Sequence, residues 1–457
     1  MHVLNQTPFR VIASSAQASA PEPDPYYPRG EPREATPVRP VISVRVKGTF
    51  RIDPDAPRGK PWDPPPPAIP VEEAEQLDFA GDTTFLDDLG RSLEYGGDLS
   101  PYKGRPEFLV YGHCYQPGGK NAPTCPVAVA VGDLRKRLLV SGAREWLPAG
   151  EDDLRVSSPV PFTEMPLRWE LAYGGLTDPK NPMGKGQELG LPTDPVPADP
   201  QSPSFRQVPN IEYPSETISQ PSDRPDPAGL GPLLPHWLPR ATAAGKRDQR
   251  WATFRAPLPP QDYSPLFHNL APADQHFPNE LDGTEPIRLE NLHPKHPLLE
   301  ASLPRLRLRM FVAQVTEQRI LFHEAPLRLD TIHLFPEKER LVLLWRQHVG
   351  AEQGEYTHLC LASEPATEPA QPLEHYREVF WPALVGARPE PEPPPLGLDE
   401  AALQAKVDAT MAECRRILAE GKADPALQDA LKNEHDPSAA FELLMGWLEN
   451  LPVPPKP

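Results

Sequence analysis

Ile42-Ser43-Val44-Arg45-Val46-Lys47 alternates strictly between apolar and polar side chains. Because successive side chains of a β-strand point to opposite faces, this alternation predicts a strand with its apolar side chains buried on one face. The pattern continues to Ile52 past Gly48, and a glycine inside a strand is typical of a β-bulge. The stretch therefore predicts a long strand in a sheet with one buried face.

Shorter strands of the same character follow along the chain. Apolar runs occupy residues 108–111, 127–131 and 137–140, and each is bounded by Gly, Pro or Asp. Such short runs between turn residues are typical of an all-β protein. Residues 306–310 alternate Leu or Met with Arg, which predicts an amphipathic strand with a cationic outer face.

A β-hairpin is predicted in the last third of the chain. Residues 328–335 and 340–348 flank Pro336-Glu337-Lys338-Glu339, which reads as a four-residue loop between two strands. Trp345 is placed for an aromatic contact across the strands.

Proline is the outlier in the composition, with 67 of 457 residues against a usual share of about 5%. Because proline lacks an N–H group and breaks helix interiors and central strands, much of the chain must be loop. Together these features predict a mainly β protein with antiparallel, sandwich-like sheets and long proline-rich loops.

The chain is predicted to contain one large β-rich domain, residues 37–387, with a possible division into two sub-domains near residue 303. Residues 1–36 precede it as an N-terminal extended segment. Inside the domain, residues 176–235 have little periodicity and many turn residues. We expect this region to be ordered at its ends, near Asn181 and Asn210, and mobile between them.

The end of the chain has a different character. Residues 388–397 form a Pro/Glu linker, which is semi-rigid by composition. Residues 398–457 change to helical periodicity, with apolar side chains three and four residues apart, and predict a small α-helical C-terminal module.

Charge and cysteine content narrow the class of protein. The formal net charge is −18, which argues against nucleic acid or an anionic membrane as a partner, since both require a basic surface. The four cysteines have neither a disulfide framework nor a zinc-binding spacing, which indicates reduced thiols. The first ten residues do not resemble a signal peptide, and no apolar run reaches the roughly 18 residues of a membrane span. These features predict a cytoplasmic protein that does not insert into membranes.

Sequence motifs of catalysis are missing. No nucleophile motif, metal-ligand spacing or dinucleotide fingerprint in a suitable context occurs, so we expect no enzyme activity, no metal and no cofactor. The alternative is a hydrolase of glycan or peptide that uses Glu164, Glu170 or Asp178 as acid and base. Acidic side chains in loops are common in a chain this acidic, which favours the non-catalytic interpretation.

Three unusual phrases follow one another between residues 166 and 212. They are Pro166-Leu167-Arg168-Trp169-Glu170-Leu171-Ala172-Tyr173-Gly174-Gly175, Asn181-Pro182-Met183-Gly184-Lys185-Gly186 and Pro209-Asn210-Ile211-Glu212. They pair aromatic side chains with glycines and prolines, as rigid loops of fixed shape require. The predicted structural turn residues are Gly174, Gly175, Asn181, Pro182, Gly184, Gly186, Asn210 and Glu212.

Further phrases complete a resemblance to a known family. They include Tyr102-Lys103-Gly104-Arg105-Pro106-Glu107, Pro227-Ala228-Gly229-Leu230-Gly231-Pro232, His236-Trp237-Leu238-Pro239-Arg240, Asp330-Thr331-Ile332 and Leu344-Trp345-Arg346. Over roughly residues 40–350 this ordered string resembles a family of unknown function that is encoded in bacterial type VI secretion clusters, beside PAAR-repeat tip proteins, VgrG spikes and toxic effectors. The chain departs from the family pattern mildly, with Glu107 for Asp, Tyr173 for Phe and Leu230 for Phe.

The resemblance implies a cytoplasmic adaptor or chaperone that binds an effector, its PAAR-type tip protein or both, with the VgrG spike as a further candidate partner, and that helps to load the effector onto the spike. It implies no catalytic residue. Aromatic and arginine side chains dominate binding hot spots, so the predicted partner-binding residues are Trp169, Glu170, Tyr173, Trp237, Arg240 and Trp251. Large aromatic side chains are mostly buried, so core positions are the competing interpretation. In a further alternative, the C-terminal helices bind the partner and the β-domain is their scaffold.

Overall fold

The computed structural model describes residues 1–17, 40–57, 60, 63–149, 154–187, 207–256, 259–316, 319–350 and 356–386. The chain divides into two units, Met1–Ala387 and Arg388–Pro457. The predicted linker 388–397 and helical module 398–457 lie outside the described residues, as does the middle of the 176–235 region. In the described part, no helix combines the length and the apolar character needed to cross a membrane.

The described residues form mainly β-structure, as the sequence predicts. The first strands in chain order are β1 His2–Asn5, β2 Arg10–Gln17, β3 Pro40–Arg51, β4 Ile69–Pro70, β5 Thr83–Thr84, β6 Leu93–Tyr95, β7 Glu107–Val110, β8 His113–Tyr115, β9 Thr124–Val131, β10 Leu134–Ser141, β11 Arg144–Pro148 and β12 Leu154–Val156. They are followed by β13 Glu164–Pro166, β14 Tyr173–Gly174, β15 Lys185–Gly186, β16 Gln207–Val208, β17 Ile211–Glu212, β18 Pro286–Glu290, β19 Leu298–Ser302, β20 Leu306–Val315, β21 Ile320–Glu324, β22 Arg328–Phe335, β23 Arg340–Gly350 and β24 His358–Pro365. The helices are α1 Leu238–Ala241, α2 Gln249–Phe254 and α3 Leu373–Gly386.

Two sheets enclose the main core. One has the order β2-β3-β23-β22-β7, with β4 added to β3, and the other has the order β17-β10-β9-β18-β19. Pairing is antiparallel within both sheets except between β22 and β7. Alternate residues of strands from both sheets, among them Val44, Val46, Val129 and Leu289, are buried in one continuous hydrophobic cluster. This is the sandwich-like arrangement that the strand patterns predict.

Several strand predictions are confirmed. The segment 42–47 lies inside β3, and the runs at 108–111, 127–131 and 137–140 coincide largely with β7, β9 and β10. The hairpin is also confirmed, because β22 and β23 pair antiparallel around a short turn that begins at Pro336. The Trp345 ring contacts Phe50 on the neighbouring strand β3, at 6.4 Å between ring centroids.

The predicted β-bulge at Gly48 is wrong. The register of β3 with β23 runs without interruption through Gly48, which pairs with Leu343. A side chain at Gly48 would lie only 2.8 Å from the Phe50 ring and 3.0 Å from the Phe9 ring. The glycine therefore makes room for two packed aromatic rings and leaves the strand regular.

A third sheet, with the order β1-β24-β20-β21, is covered on both faces. Met310 and Val312 of β20 point into the main core, whereas Phe311 and Ala313 point into a second core beneath α3. Helix α3 supplies Tyr376, Phe380 and Leu384 to this second core. The sequence analysis missed α3, in which Pro382 interrupts the helical pattern.

The prediction of a cationic outer face for β20 also needs correction, because α3 covers this face of the strand. The strand itself is confirmed, but Arg309 lies on the face that α3 covers and is only 6% exposed. Its Nη2 donates to Glu324 Oε2 at 2.7 Å and its Nη1 to Glu364 Oε1 at 3.0 Å. Burial of an arginine requires such pairing, and the sequence alternation alone does not reveal that a helix covers this face.

The N-terminal residues take part in the sheets. Residues 1–17, which the sequence analysis assigned to an extended segment, contribute β1, parallel to β24, and β2, antiparallel to β3. Near residue 303 the chain passes from the five-stranded sheet to the third sheet, from β19 to β20.

Candidate functional site

Trp169 lies at the centre of the loops that carry the three unusual phrases. It lies in a 3₁₀ turn, Trp169–Leu171, and its ring covers Gly229, where a side chain would come within 2.8 Å. Its Nε1 donates to Gly231 O at 3.2 Å and to Pro232 O at 3.1 Å. The Trp237 ring meets it edge-on, with 5.8 Å between centroids and 89° between planes. We call the segments 166–187, 209–212 and 228–241 the tryptophan frame.

Asn181 joins the first two phrases within the frame. Its side chain is completely buried, and Nδ2 donates to Trp169 O at 2.8 Å and to Tyr173 O at 2.9 Å. Gly174 has a φ of +148°, which disfavours a side chain, and a Cβ there would lie 2.2 Å from Asn181 O. A Cβ at Gly184 would similarly collide with Asn181 Nδ2 at 2.5 Å. The predicted turn residues thus close around one amide.

The remaining predicted turn residues of these two phrases also lie in tight turns next to Asn181. Gly175 N donates to Asn181 O at 3.0 Å, Pro182 is half-buried beside it, and Gly186 has a φ of +98° in β15, which pairs parallel with β14. These residues continue the tight chain path on the far side of Asn181.

Asn210 and Glu212 connect the frame to the five-stranded sheet. Asn210 Nδ2 donates to Ser141 O of β10 at 2.8 Å, and Asn210 N donates to Leu171 O at 2.7 Å. Glu212 pairs with Arg144 at 2.6 Å and accepts a hydrogen bond from Ile218 N at 2.7 Å. Burial raises the pKa of Glu212, against the lowering effect of Arg144. The predicted turn residues therefore fix the frame on a rigid sheet.

Arg168 and Glu170 attach a further loop to the frame. Arg168 donates two bonds to Glu170, at 3.0 and 3.2 Å, and one from Nη1 to Asp87 Oδ2 at 2.6 Å. Ser92 donates to the same Glu170 carboxylate from its N and its Oγ, both at 2.7 Å. Burial alone would raise the pKa of Glu170, but the bonds from Arg168 and Ser92 lower it, so this carboxylate stays ionised. The loop 85–92 is thereby held against the frame.

Most predicted partner-binding residues are buried inside this arrangement. Trp169, Glu170, Tyr173, Trp237 and Arg240 are each no more than 7% exposed. Their contacts are therefore made within the chain.

Arg240 and Tyr173 occupy different surroundings. Arg240 donates to Leu233 O at 2.6 Å and to Phe267 O at 3.1 Å, and burial lowers its pKa. Tyr173 packs in a small separate core with Trp146 and Val208.

Trp251, the sixth predicted partner-binding residue, is half-buried and is the third residue of α2. Its N donates to the Asp248 capping carboxylate at 2.9 Å, and the Arg247 guanidinium lies 5.5 Å from the ring centroid.

Four exposed leucines lie in the frame or in the loop attached to it, and the sequence analysis did not single them out. Leu86 and Leu176 are 82% and 87% exposed, and Leu89 and Leu238 are 41% and 38% exposed. Leu86 and Leu89 flank Asp87, the partner of Arg168. Leu176 follows the paired glycines, and Leu238 N donates to Pro179 O at 2.6 Å. We call these four residues the frame leucines. The local sequence does not distinguish them from other leucines, because their position in or beside the frame is visible only in the structure.

The three carboxylates of the hydrolase hypothesis each have their own environment. The Glu170 carboxylate accepts hydrogen bonds from Arg168 and Ser92, as described above. Glu164 is exposed on β13, opposite Tyr115. Asp178 is buried and accepts a hydrogen bond from Lys180 N at 2.9 Å. Among the described residues, no group of three or more His, Cys, Asp or Glu is arranged to hold a metal ion.

A buried polar network joins strands of the six-stranded sheet to the loop around residues 98–103, and it gathers the charged residues of the remaining phrases. Lys103 and Glu107 pair at 2.8 Å with both side chains fully buried, and Arg346 pairs with Asp330. Lys47 donates to Asp98 at 2.7 Å, and the Arg346 Nη2 donates to Asp98 O at 2.9 Å. The sequence analysis had not connected Lys47 or Asp98 with these phrases, since they are distant in the chain.

Two titrating groups in this network have strongly shifted pKa values. Burial would raise the pKa of Glu107, but Lys103 and His276 lower it to about 2. Burial lowers the pKa of His333 to about 3, with its Nδ1 2.9 Å from Tyr111 Oη. Both shifts accompany full burial among partners within the chain.

A small cleft of about 200 Å³ lies beside this network, lined by Asp82, Ser100, Arg240 and His268 among others. Burial lowers the pKa of His268 to about 4, so this imidazole is neutral at physiological pH.

The comparisons with known proteins place the chain in a bacterial family of uncharacterised function. No curated protein and no solved structure matches the chain. One family model matches residues 38–346, more than half of the chain, and this range contains the frame, the buried polar network, the five-stranded sheet and most of the six-stranded sheet. The chain therefore belongs to the family described as "Uncharacterized protein conserved in bacteria (DUF2169)".

Proposed function

We propose that this protein is a non-catalytic cytoplasmic adaptor or chaperone of a type VI secretion system. It binds an effector or its PAAR-type tip protein and promotes loading onto the VgrG spike. Support comes from the motif resemblance described above and from membership of a bacterial family. The observation that carries the proposal is the set of exposed frame leucines on segments that hydrogen bonds and ion pairs attach to the frame.

The physical argument concerns the cost of binding. Apolar side chains in water gain free energy when a partner covers them, by roughly 25 cal/mol per Å² of buried apolar surface. Ordering flexible loops at an interface offsets part of this gain. The loop that carries Leu86 is fixed through Asp87 and Arg168, and the turn that carries Leu176 is fixed through Asn181. A preorganised apolar surface is therefore well suited to a partner of defined shape.

In this proposal the phrases that form the frame act indirectly. Trp169, Trp237 and Arg240 determine the shape of the frame from inside, and the frame leucines contact the partner. Trp251 is half-buried and is the one predicted binding residue with a ring partly accessible to a partner.

The test is co-purification of the full chain with the PAAR-type protein or effector encoded beside it. The key variant combines Leu86→Ser, Leu176→Ser and Leu238→Ser. We expect the wild-type protein to co-elute with its partner in a fixed ratio, and the triple variant to bind at least about 30-fold more weakly, which corresponds to about 2 kcal/mol.

The matched control is Ile69→Ser. Ile69 is 49% exposed and lies in β4, away from the frame, so this change should leave binding intact. Circular dichroism and thermal melts establish that all variants fold. Full affinity of the triple variant would show that the frame leucines do not contact the partner, and absence of a wild-type complex at micromolar concentration would refute the adaptor proposal.

A deletion of residues 388–457 separates the two binding alternatives. If the frame binds the partner, the shortened chain retains the complex. If it loses the complex while remaining folded, the C-terminal module is the binding element.

A further inference from the structure

The outer face of the five-stranded sheet contains a second surface feature, a shallow trough of about 440 Å³. Its floor is made by Ala128 and Ala130 of β9, which are half-buried and point away from the main core. Small side chains on the central strand, between longer ones on its neighbours, leave this depression.

The strand register arranges the trough in two rows. Ala130 lies between Arg135 of β10 and Arg288 of β18. Ala128 lies between Arg137 of β10 and Glu290 of β18. One wall of the trough is therefore formed by two arginines at positions i and i+2 of the same strand.

The two walls differ in charge. Arg288 is paired within the chain, with Glu290 and Glu300, both at 2.9 Å. Arg135 and Arg137 are exposed and take part in no hydrogen bond or ion pair among the described residues. The two arginines therefore carry positive charge that no carboxylate of the described residues neutralises, in a chain with a net charge of −18.

The backbone below these arginines is held firmly. Lys136, between them, points inward and donates to Asp274 Oδ1 at 2.7 Å and to Gln275 Oε1 at 2.9 Å. Arg135 and Arg137 thus project from a fixed strand at a fixed spacing.

We propose that this trough binds an extended acidic segment of a partner protein, with carboxylates on alternate residues. Side chains at i and i+2 of an extended chain are roughly 7 Å apart on the same side, which matches the spacing of Arg135 and Arg137 on β10. The alanine floor gives the partner backbone room to approach, and charge complementarity with the arginine wall fixes its position. None of these residues belongs to the tryptophan frame or the frame leucines, so the site is separate from the one in the proposed function.

The test uses fluorescence anisotropy of the full chain with two labelled peptides at low ionic strength. One peptide alternates Glu and Thr, and the other has the same composition in blocks of two Glu and two Thr. We expect the wild-type protein to bind the alternating peptide more tightly than the block peptide. The variant Arg135→Glu/Arg137→Glu should bind the alternating peptide at least about tenfold more weakly than the wild-type protein does. A peptide that alternates Lys and Thr should bind this charge-reversed variant and not the wild type.

The control is Arg155→Glu. Arg155 is an exposed arginine of β12 outside the trough, and its reversal changes the net charge of the protein as much as the reversal of one trough arginine does. The milder variant Arg135→Gln/Arg137→Gln serves if the reversed protein does not fold. Equal binding of the two peptides, no binding by the wild type, or undiminished binding by the double variants would each overturn the proposal. The leucine variants should bind the alternating peptide normally, which separates a failure here from a failure of the proposed function.

Discussion

Asn181 illustrates how much of the frame depends on a single side chain. Its Nδ2 satisfies two buried carbonyl groups, Trp169 O and Tyr173 O, that belong to a different segment of the chain. Glycines at positions 174 and 184 leave just enough space for this amide. An asparagine of this kind is part of the architecture even though it lies in a loop.

Asn181→Ala should therefore destabilise the protein by about 1–3 kcal/mol, because the two carbonyl groups lose their donor while they stay buried. Urea unfolding followed by circular dichroism measures the change. The control is Leu176→Ala, five residues away and 87% exposed, for which we expect a change within about 0.5 kcal/mol. Equal stabilities of the two variants would contradict the role given to Asn181.

At the scale of secondary-structure elements, α3 is attached to the third sheet by polar as well as apolar contacts. Tyr376 Oη donates to Glu364 Oε2 at 2.7 Å, and the same carboxylate accepts from Arg309 and Arg307. Burial would raise the pKa of Glu364, but Arg307 and Tyr376 lower it to about 2. The helix thus contributes a hydroxyl to an ion cluster centred on β20 and β24.

Tyr376→Phe removes this hydroxyl and keeps the packing of the ring. Because the acceptor is ionised, we expect a loss of about 1.5–3 kcal/mol of stability and faster amide hydrogen exchange in α3. Val379→Ala on the outer side of α3, where Val379 is 38% exposed, is the control for any change in the helix itself. Unchanged exchange in the Tyr376 variant would mean that apolar contacts alone hold α3.

At the scale of the whole molecule, the buried polar network predicts sensitivity to acid. The pKa of His333 is about 3, below its ordinary value of about 6.5, so between these pH values the unfolded chain binds a proton that the folded protein does not. Stability therefore falls as pH decreases below about 6.5. Glu107, with a pKa of about 2, acts in the same direction, and its contribution is lost as pH falls below about 4.5.

We expect the free energy of unfolding to decrease by roughly 1–3 kcal/mol from His333 alone between about pH 7 and pH 4. Urea unfolding across this range measures it, and His333→Gln should flatten the slope because its side chain does not titrate. A wild-type stability independent of pH over this interval would contradict full burial of a neutral imidazole.

The amino-acid sequence is sufficient to identify a β protein, because alternation with a period of two follows directly from strand geometry. The strands at 42–47 and 127–131 and the hairpin near residue 337 were all predicted from local patterns. It also identified the turn phrases around Asn181 and Asn210, because glycine and proline in such density restrict the backbone wherever they occur.

Which side chains are covered, in contrast, depends on how distant segments pack in the folded chain. The ring of Trp169 is buried by glycines about sixty residues later in the chain, and Arg309 is buried by a helix that follows its strand by another sixty. The exposed frame leucines and the alanine floor between Arg135 and Arg288 depend equally on segments that are distant in sequence. Whether a side chain is buried depends on which residues pack on it. The local sequence shows the periodicity of apolar residues, but it does not show which distant residues become their neighbours.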